Sequence, residues 1–206
     1  MTTRPFIPSF DAFERLIRQT REPVVLLEGS REVPEAVQQR METLAAYLMK
    51  AFPALRARSG NAPGADQAWA RGVNSVDPAR LELILPVPRW RREAILPGNQ
   101  ALSLREALPE DAMAARDLTR AHYEWGNRRG PSAYDPLPEF RKPYLDRDAL
   151  KVLGHADYRG KRRKATAALF YLNASRKGGG TAHTIRLCEA ERVPYILAED
   201  WMEWKV

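Results

Sequence analysis

Cysteine, histidine and long apolar runs are scarce in this chain of 206 residues. The single cysteine, Cys188, excludes an internal disulfide framework and a cysteine-based zinc site. With only three histidines in the chain, we expect no histidine-based metal site. No apolar run approaches the roughly 20 residues that span a bilayer, and the N-terminus MTTRPFIPSF lacks the apolar region of a signal peptide. We therefore expect a cytoplasmic protein that does not bind a membrane.

The overall composition is that of a globular protein with a basic balance. Hydrophobic residues make up 44% and charged residues 29%, which is ordinary for a folded domain. The net charge of +7 favours anionic partners such as nucleotides or nucleic acid. The length fits a single domain over residues 1–206 that has a sizeable insertion.

Predicted strands alternate with predicted helices along most of the chain. Apolar spacing predicts helices over 10–19 and from Pro34 to about Lys50, and another from about Ala65. The apolar run of residues 24–27 is typical of a strand buried on both faces of a parallel sheet. Four further strands are expected in the segments 54–58, 81–88, 165–173 and 193–198. This alternation predicts an α/β fold with both faces of the sheet covered.

Residues 89–164 interrupt the alternation and are predicted to be a long insertion before the strand at about 165–173. A connection between neighbouring strands normally needs far fewer residues. The segment contains two predicted helices, EDAMAARDLTRAHYEW and DRDALKVLG, separated by a loop rich in Pro, Gly and Asn. We interpret it as a lid or binding loop, or as an addition that contacts partners.

Three loops rich in Gly, Ser or Ala each lie between a predicted strand and a predicted helix: EGSRE (28–32), RSGNAPGAD (58–66) and NASRKGGGTAHT (173–184). In an open α/β sheet such loops converge at the carboxyl ends of the strands, where ligands bind. Small residues let backbone N–H groups approach a ligand, and a helix start adds unpaired donors and positive dipole character. The loops therefore predict a phosphate or other anion site. For any single loop, the alternative is that its glycines only set the backbone conformation.

The same stretches carry a resemblance to a known superfamily. VVLLEGSRE, SGNAPGADQAWARGV and LFYLNASRKGGGTAHTIRLCEAERVPYI, in this order, resemble the motifs of the SLOG superfamily. That group includes the LOG cytokinin-activating phosphoribohydrolases, the DNA-processing protein DprA and the YspA/YpsA-like proteins. The match covers about 22–88 and 165–198, and GSR together with GAD is most similar to the YspA-like branch. The resemblance implies a Rossmann-like, doubly wound and mostly parallel sheet, a nucleotide or nucleotide-derived ligand, and a homo-oligomer.

The resemblance also implies which residues hold that ligand. They are Gly29, Ser30 and Arg31 in the first loop, Ser59, Gly60, Asn61, Ala62, Gly64, Ala65 and Asp66 in the second, and Gly179, Gly180, Thr181 and Thr184 in the third. Arg31 offers a bidentate fork for phosphate or a purine edge, or instead an ion pair with Glu28 or Glu35. Asp66 either accepts from ribose hydroxyls or caps its helix.

A catalytic residue is not evident from the motifs. The motif of the LOG enzymes is PGGxGTxxE, and its glutamate serves N-glycosidic hydrolysis. A carboxylate is needed at that position to stabilise the transition state. Here KGGGTAHTIRLCE places His183 and Thr184 where that glutamate is expected, and the next acid is Glu189. His183 is a candidate general acid or base. Its alternative is a polar contact near a helix start.

Three functions follow from these observations. The first is binding of a nucleotide or nucleotide-derived small molecule at the carboxyl edge of the sheet, with no other cofactor expected. The second is a DprA-like accessory protein that binds single-stranded DNA through the basic run Arg159, Lys161, Arg162, Arg163 and Lys164. The alternative for that run is a solvated segment that leads into a strand. The third is a LOG-like N-glycosidase that uses an acid outside the usual motif.

Overall fold

The computed structural model describes residues 5–157, 160–173 and 179–205. The N-terminal half consists of α1 (Phe10–Gln19), β1 (Val24–Gly29), α2 (Glu35–Ala51), β2 (Arg56–Ser59), α3 (Ala65–Asn74), β3 (Leu81–Leu85) and β4 (Gln100–Ser103). The middle consists of α4 (Pro109–His122), a hairpin of β5 (Glu124–Trp125) and β6 (Arg128–Arg129), α5 (Pro131–Tyr134) and α6 (Lys142–Leu153). The C-terminal part consists of β7 (Ala167–Tyr171), α7 (Gly180–Ala190), β8 (Tyr195–Leu197) and α8 (Ala198–Trp201).

A six-stranded sheet in the order β4-β3-β2-β1-β7-β8 forms the centre of the described fold. Every neighbouring pair in it is parallel, and Val25 of β1 lies opposite Ala57 of β2 and Ala167 of β7. The chain moves outward from β1 to β4 and then returns to β7 on the other side of β1. The loops after β1 and β7 therefore flank the switch point, where open α/β sheets bind ligands.

Helices cover both faces of this sheet, so the α/β, Rossmann-like, doubly wound fold class is confirmed. Val25 and Leu27 of β1 pack into the layer that holds α1, α2 and α3. Leu26, between them, packs into the layer of α4, α6 and α7, as the period of two in a strand requires. Each of these fully buried side chains contributes about 1.5–3 kcal/mol through removal from water.

The first helix shows how the sequence sets these elements. Ser9 is its N-cap, and the Ser9 hydroxyl accepts a hydrogen bond from the Ala12 amide at 3.2 Å. Phe13 and Ile17, one turn apart, form its buried stripe. Ahead of it, the Ile7 amide donates to the Tyr195 carbonyl at 3.1 Å, so the N-terminal arm covers the outer edge of β8.

The segment 89–164 differs from the expected insertion in two respects. It supplies β4, an additional edge strand that was not predicted, because Gln100 and Ala101 are exposed and no apolar run marks them. It also supplies α6, which begins at Lys142 and packs between α4 and α7. Part of this segment therefore belongs to the sheet and to one of its covering layers rather than to a lid.

Candidate functional site

The first loop fixes the geometry of the site through close backbone packing. A Cβ atom on Gly29 would lie 2.7 Å from the Ala65 Cβ and 2.7 Å from the Tyr171 carbonyl oxygen, so only glycine fits. The Ser30 amide donates to that carbonyl at 2.9 Å, and the Ser30 hydroxyl accepts from the Asn173 amide at 2.8 Å. Ser30 therefore joins the first loop to the third.

Arg31, in the same loop, is exposed and forms no ion pair with any residue in the described ranges. The alternative pairing with Glu28 does not form, because the Glu28 carboxylate is bound by other side chains. The guanidinium is thus available to a ligand.

The second loop packs against the first. Gly64 has a φ of +82°, and a Cβ there would lie 2.1 Å from the Arg31 carbonyl oxygen. The Ala65 amide donates to the Ser30 carbonyl at 3.1 Å. Asp66 is buried, and its Oδ2 accepts from the Gly60 and Ala62 amides at 3.2 and 3.1 Å. Its second oxygen, Oδ1, has no hydrogen-bond partner within the described residues.

The third loop ends in the start of α7. Gly179 has a φ of +97°, and a Cβ there would meet nothing within 4 Å. The first N–H groups of a helix have no intrahelical partner, so the amides of Gly180 and Thr181 are not used within α7 itself. Gly178 lies outside the described residues.

These loops enclose a cleft of about 290 Å³ at the carboxyl edge of the sheet. Its lining consists of Glu28, Gly29, Ser30, Arg31, Ala62, Asp66, Arg147, Gly179, Gly180 and Thr181. The structure thus brings together residues from each of the three predicted loops. The other expected ligand residues, which do not line it, are Ser59, Gly60, Asn61, Gly64, Ala65 and Thr184.

Several of those other residues have structural partners instead. The Ser59 hydroxyl donates to the Leu27 carbonyl at 2.9 Å. The Asn61 side chain donates to the Arg91 carbonyl at 3.2 Å, on the loop after β3. The Thr184 hydroxyl donates to Glu28 Oε1 at 3.0 Å. These side chains therefore hold the walls of the cleft in place.

A group of buried charges from α6, not predicted from the sequence, underlies the cleft. Lys151 is fully buried, and its Nζ contacts Glu28 Oε2 at 2.5 Å and Asp148 Oδ1 at 2.9 Å. The Arg147 guanidinium donates to Asp148 Oδ1 at 3.0 Å and to the Gly60 carbonyl at 3.0 Å. A sequence signal for this group exists in Glu28, because an acid inside a strand buried on both faces requires a cationic partner.

Burial and neighbouring charges divide the carboxyl groups of this cluster into two kinds. Burial raises the pKa of Glu28 to about 7, and it also raises the pKa of Asp66. Burial opposes ionisation of Asp148 as well, but Lys151 and Arg147 outweigh it and lower the pKa of that carboxyl. Glu28 therefore exchanges a proton near neutral pH.

His183, the candidate catalytic residue, is buried beside the cleft and does not line it. Its ring packs edge-to-face on Tyr123 at 5.5 Å, and neither ring nitrogen has a hydrogen-bond partner among the described residues. Burial lowers its pKa to about 4, so the imidazole is neutral at pH 7. Glu189 lies toward β8, where it accepts from the Tyr195 hydroxyl at 2.9 Å.

The described part of the basic run lies at the opposite, amino edge of the sheet and is ion-paired. Lys161 pairs with Glu22, and Arg162 pairs with Asp111. Arg163 contacts Asp157 at 3.1 Å, and the Lys164 Nζ donates to the Glu191 carbonyl at 2.8 Å. Arg159 lies outside the described residues. These pairings favour the solvated-segment interpretation of the run, and DNA binding stays a prediction.

No protein-family model matches the chain, and no curated protein matches it. The resemblance to the SLOG superfamily therefore stays a prediction that rests on the three motifs. Among the helices in the described ranges, none combines the length and the apolar character needed to cross a membrane.

Proposed function

We propose that the cleft binds a mononucleotide or another nucleotide-derived small molecule. The observation that supports this proposal is that one cleft contains both hydrogen-bond donors and a carboxylate acceptor that lack partners among the described residues. The start of α7 and Arg31 offer hydrogen-bond donors among the residues that line the cleft, and Asp66, which also lines it, has one carboxylate oxygen without a partner in the described residues. A molecule with an anionic group and a hydrogen-bond donor satisfies both.

The donor side suits a phosphate group. The start of a helix of the length of α7 carries a positive partial charge and unpaired N–H groups, which together favour an anion. Arg31 adds a planar guanidinium that can bind two phosphate oxygens. Gly179 and Gly180 present no side chain that would keep the phosphate from the backbone amides.

The acceptor side suits a ribose hydroxyl or the N–H edge of a base. A buried carboxylate oxygen without a partner costs about 1–3 kcal/mol, and a ligand hydroxyl removes that cost when it donates to Asp66. The other oxygen of Asp66 stays on the two backbone amides of its loop, so the free oxygen is held in a fixed position.

Calorimetric titration with AMP, GMP and ADP-ribose tests this proposal. Arg31→Ala should weaken binding of the phosphorylated ligands by about tenfold and leave binding of adenosine unchanged, because only phosphate loses a partner. Arg21→Ala is the matched control, since Arg21 is an exposed arginine in the turn before β1. Absence of heat with the whole panel would refute the proposal.

A second candidate function, N-glycosidic hydrolysis, is favoured by Glu28. This carboxyl lines the cleft and exchanges its proton near pH 7, as a general acid requires. Its proton would pass to the leaving base as the C1′–N bond breaks. Water would then add to C1′ and give its proton to Asp66. Chromatography should show free base released from a mononucleotide by the unsubstituted protein and not by Glu28→Gln. No release by the unsubstituted protein would exclude this candidate.

A further inference from the structure

The buried charges at the cleft do not balance. Three carboxylates, Glu28, Asp66 and Asp148, are 4%, 1% and 1% exposed. Two cations, Arg147 and Lys151, are 8% and 0% exposed. When all five are ionised, the described cluster carries one uncompensated negative charge. Such a charge is costly in a buried site unless a proton or a cation neutralises it.

Asp66 is the carboxyl group of this cluster that receives no hydrogen bond from either cation. Lys151 Nζ lies between Glu28 and Asp148, at 2.5 and 2.9 Å. Arg147 is hydrogen-bonded to Asp148 and to a backbone carbonyl. Neither cation hydrogen-bonds to Asp66, whose Oδ2 accepts only from two backbone amides and whose Oδ1 has no partner in the described ranges. Asp66 lines the cleft, so a positive charge that compensates it can come from a ligand in the cleft.

The other titratable groups around the cluster do not supply this charge. His183 of α7 is neutral at pH 7, because burial lowers its pKa to about 4. His122 and Arg186 act on His183 and do not line the cleft. Arg31, in the loop after β1, lines the cleft but is exposed, and in the proposed function its charge is used by the phosphate.

The free acceptor also limits what the compensating cation can be. A divalent metal ion of the hard type takes about six or more oxygen ligands, whereas the spaces between Glu28 and Asp148 are already filled by Lys151. A single carboxylate oxygen at the wall of a cleft suits the diffuse charge of an organic ring. The compensating group is therefore expected on the nucleotide itself.

We propose that the cleft selects a nucleotide whose base carries a positive charge, such as a pyridinium or N-alkylated purine 5′-monophosphate, with Asp66 as its counter-ion. The inference rests on the proposed function and names the class of nucleotide. In this arrangement the phosphate is bound at the start of α7 and the cationic ring lies against Asp66, so each charge of the ligand meets a group of opposite charge among the lining residues.

Proton exchange at Glu28 gives this preference a pH dependence. Burial raises the pKa of Glu28 to about 7, so a bound proton supplies part of the missing charge in the free protein near neutral pH. A cationic ligand competes with that proton, and binding releases it. The preference for the cationic ligand should therefore grow between about pH 6 and pH 8, where Glu28 ionises before the ligand arrives.

Nicotinamide mononucleotide and its 1,4-dihydro form are a matched pair of probes, because they share ribose and phosphate and differ in ring charge. Titration calorimetry at about pH 8 should show at least about tenfold tighter binding of the cationic form. Repeating the titration in buffers of different ionisation enthalpy should show release of a proton.

Two Asp→Asn substitutions distinguish the effect of the Asp66 charge on ligand preference from a general effect of such a substitution on the fold. Asp66→Asn removes one negative charge and keeps an oxygen for the two backbone amides, so the two probes should bind with equal affinity. AMP should also bind more weakly, because it loses the same acceptor. Asp77→Asn is the control, because Asp77 caps a turn before β3 through the Ala79 amide at 3.0 Å, at the other edge of the sheet. If Asp66→Asn does not fold, Glu28→Gln makes the same change of charge.

Each outcome decides the inference. Equal affinity of the two probes, with AMP bound, overturns the charge selection and leaves nucleotide binding intact. A preference that survives Asp66→Asn or, where that variant does not fold, Glu28→Gln also overturns it. Failure of both probes and AMP to bind overturns the proposed function and this inference together.

Discussion

Two buried charge networks connect α6 and the residues after it to the sheet, and they differ in completeness. In the first, Arg58 of β2 donates from Nε to Glu82 at 2.5 Å and from Nη1 to the Lys151 carbonyl at 2.9 Å. The other Glu82 oxygen contacts His155 Nε2 at 2.5 Å, and His155 Nδ1 lies 3.1 Å from the Ala156 carbonyl. Every polar atom of Glu82 and His155 thus has a partner. We call this the closed network.

The second network is incomplete, and we call it the open network. One of its carboxylate oxygens has no hydrogen-bond partner among the described residues, and its carboxylates outnumber its cations by one. Its members are Glu28, Asp66, Arg147, Asp148 and Lys151. It uses the same kinds of side chain and is at least as deeply buried. Yet Asp66 Oδ1 has no partner among the described residues, and this oxygen belongs to a side chain that lines a cleft.

The comparison separates a structural role from a binding role. A closed network satisfies its own groups, so its removal is expected to change stability and not ligand affinity. An open network leaves a hydrogen-bond acceptor and a negative charge that a ligand can pair with. Asp66 Oδ1 combines a missing partner, within the described part of the chain, with a place in a residue that lines the cleft, and this combination favours a binding role.

Breaking the closed network should have the largest effect on stability. Arg58→Met leaves Glu82 as a buried carboxylate that only His155 contacts, and the loss of one partner of a buried pair costs about 3–5 kcal/mol. Urea denaturation at neutral pH measures this loss. A loss below about 1 kcal/mol would show that the network is not structural.

Glu28, in the open network, is expected to lower the stability of the folded protein as the pH rises. The pKa of Glu28 rises from 4.5 to about 7 on folding, so ionisation of the folded protein costs stability between those values. That shift corresponds to roughly 3 kcal/mol. Glu28→Gln should therefore gain stability relative to the unsubstituted protein as the pH rises from about 5 to 8. A stability difference that does not vary with pH in parallel denaturation curves would contradict this.

The smallest effect is expected at the edge of the closed network. Glu82 raises the pKa of His155 through its hydrogen bond, although burial opposes this. The stabilisation is thus complete below the unfolded pKa of about 6.5 and is lost as the pH rises through the higher folded value. His155→Gln should cost about 1 kcal/mol at pH 6 and less at pH 9. Thermal unfolding at both pH values tests it, and a larger cost at pH 9 would reverse the sign.

The sequence predicted those parts of the fold that carry a local signal. The apolar run before Gly29 and the spacing of Phe13 and Ile17 locate a strand and a helix without tertiary information. Strand β4 was not predicted, because Gln100 and Ala101 are exposed at the edge of the sheet and so form no apolar run. Only its pairing with β3, between residues 18 positions apart, identifies it as a strand.

The candidate site was predictable in its loops and not in its charges. Backbone requirements at Gly29 and Gly64 leave a trace in the sequence, because only glycine fits there. The burial of Arg147 and Lys151 leaves none, since charged residues in a helix normally face solvent. Arg147 donates to the Gly60 carbonyl in the loop after β2, and Lys151 donates to Glu28 of β1. Each of these partners is more than 80 positions away, and only the fold shows that they meet.

Hydrogen–deuterium exchange with and without saturating mononucleotide shows whether a nucleotide binds in the cleft, because it locates a ligand without assuming which residues bind it. Added AMP or nicotinamide mononucleotide should slow exchange in the segments 29–31, 62–66 and 179–184, each of which contains residues that line the cleft. Residues 160–164, at the opposite edge, should be unchanged. Slowed exchange confined to 160–164, or none in the three cleft segments, would contradict a nucleotide site in this cleft.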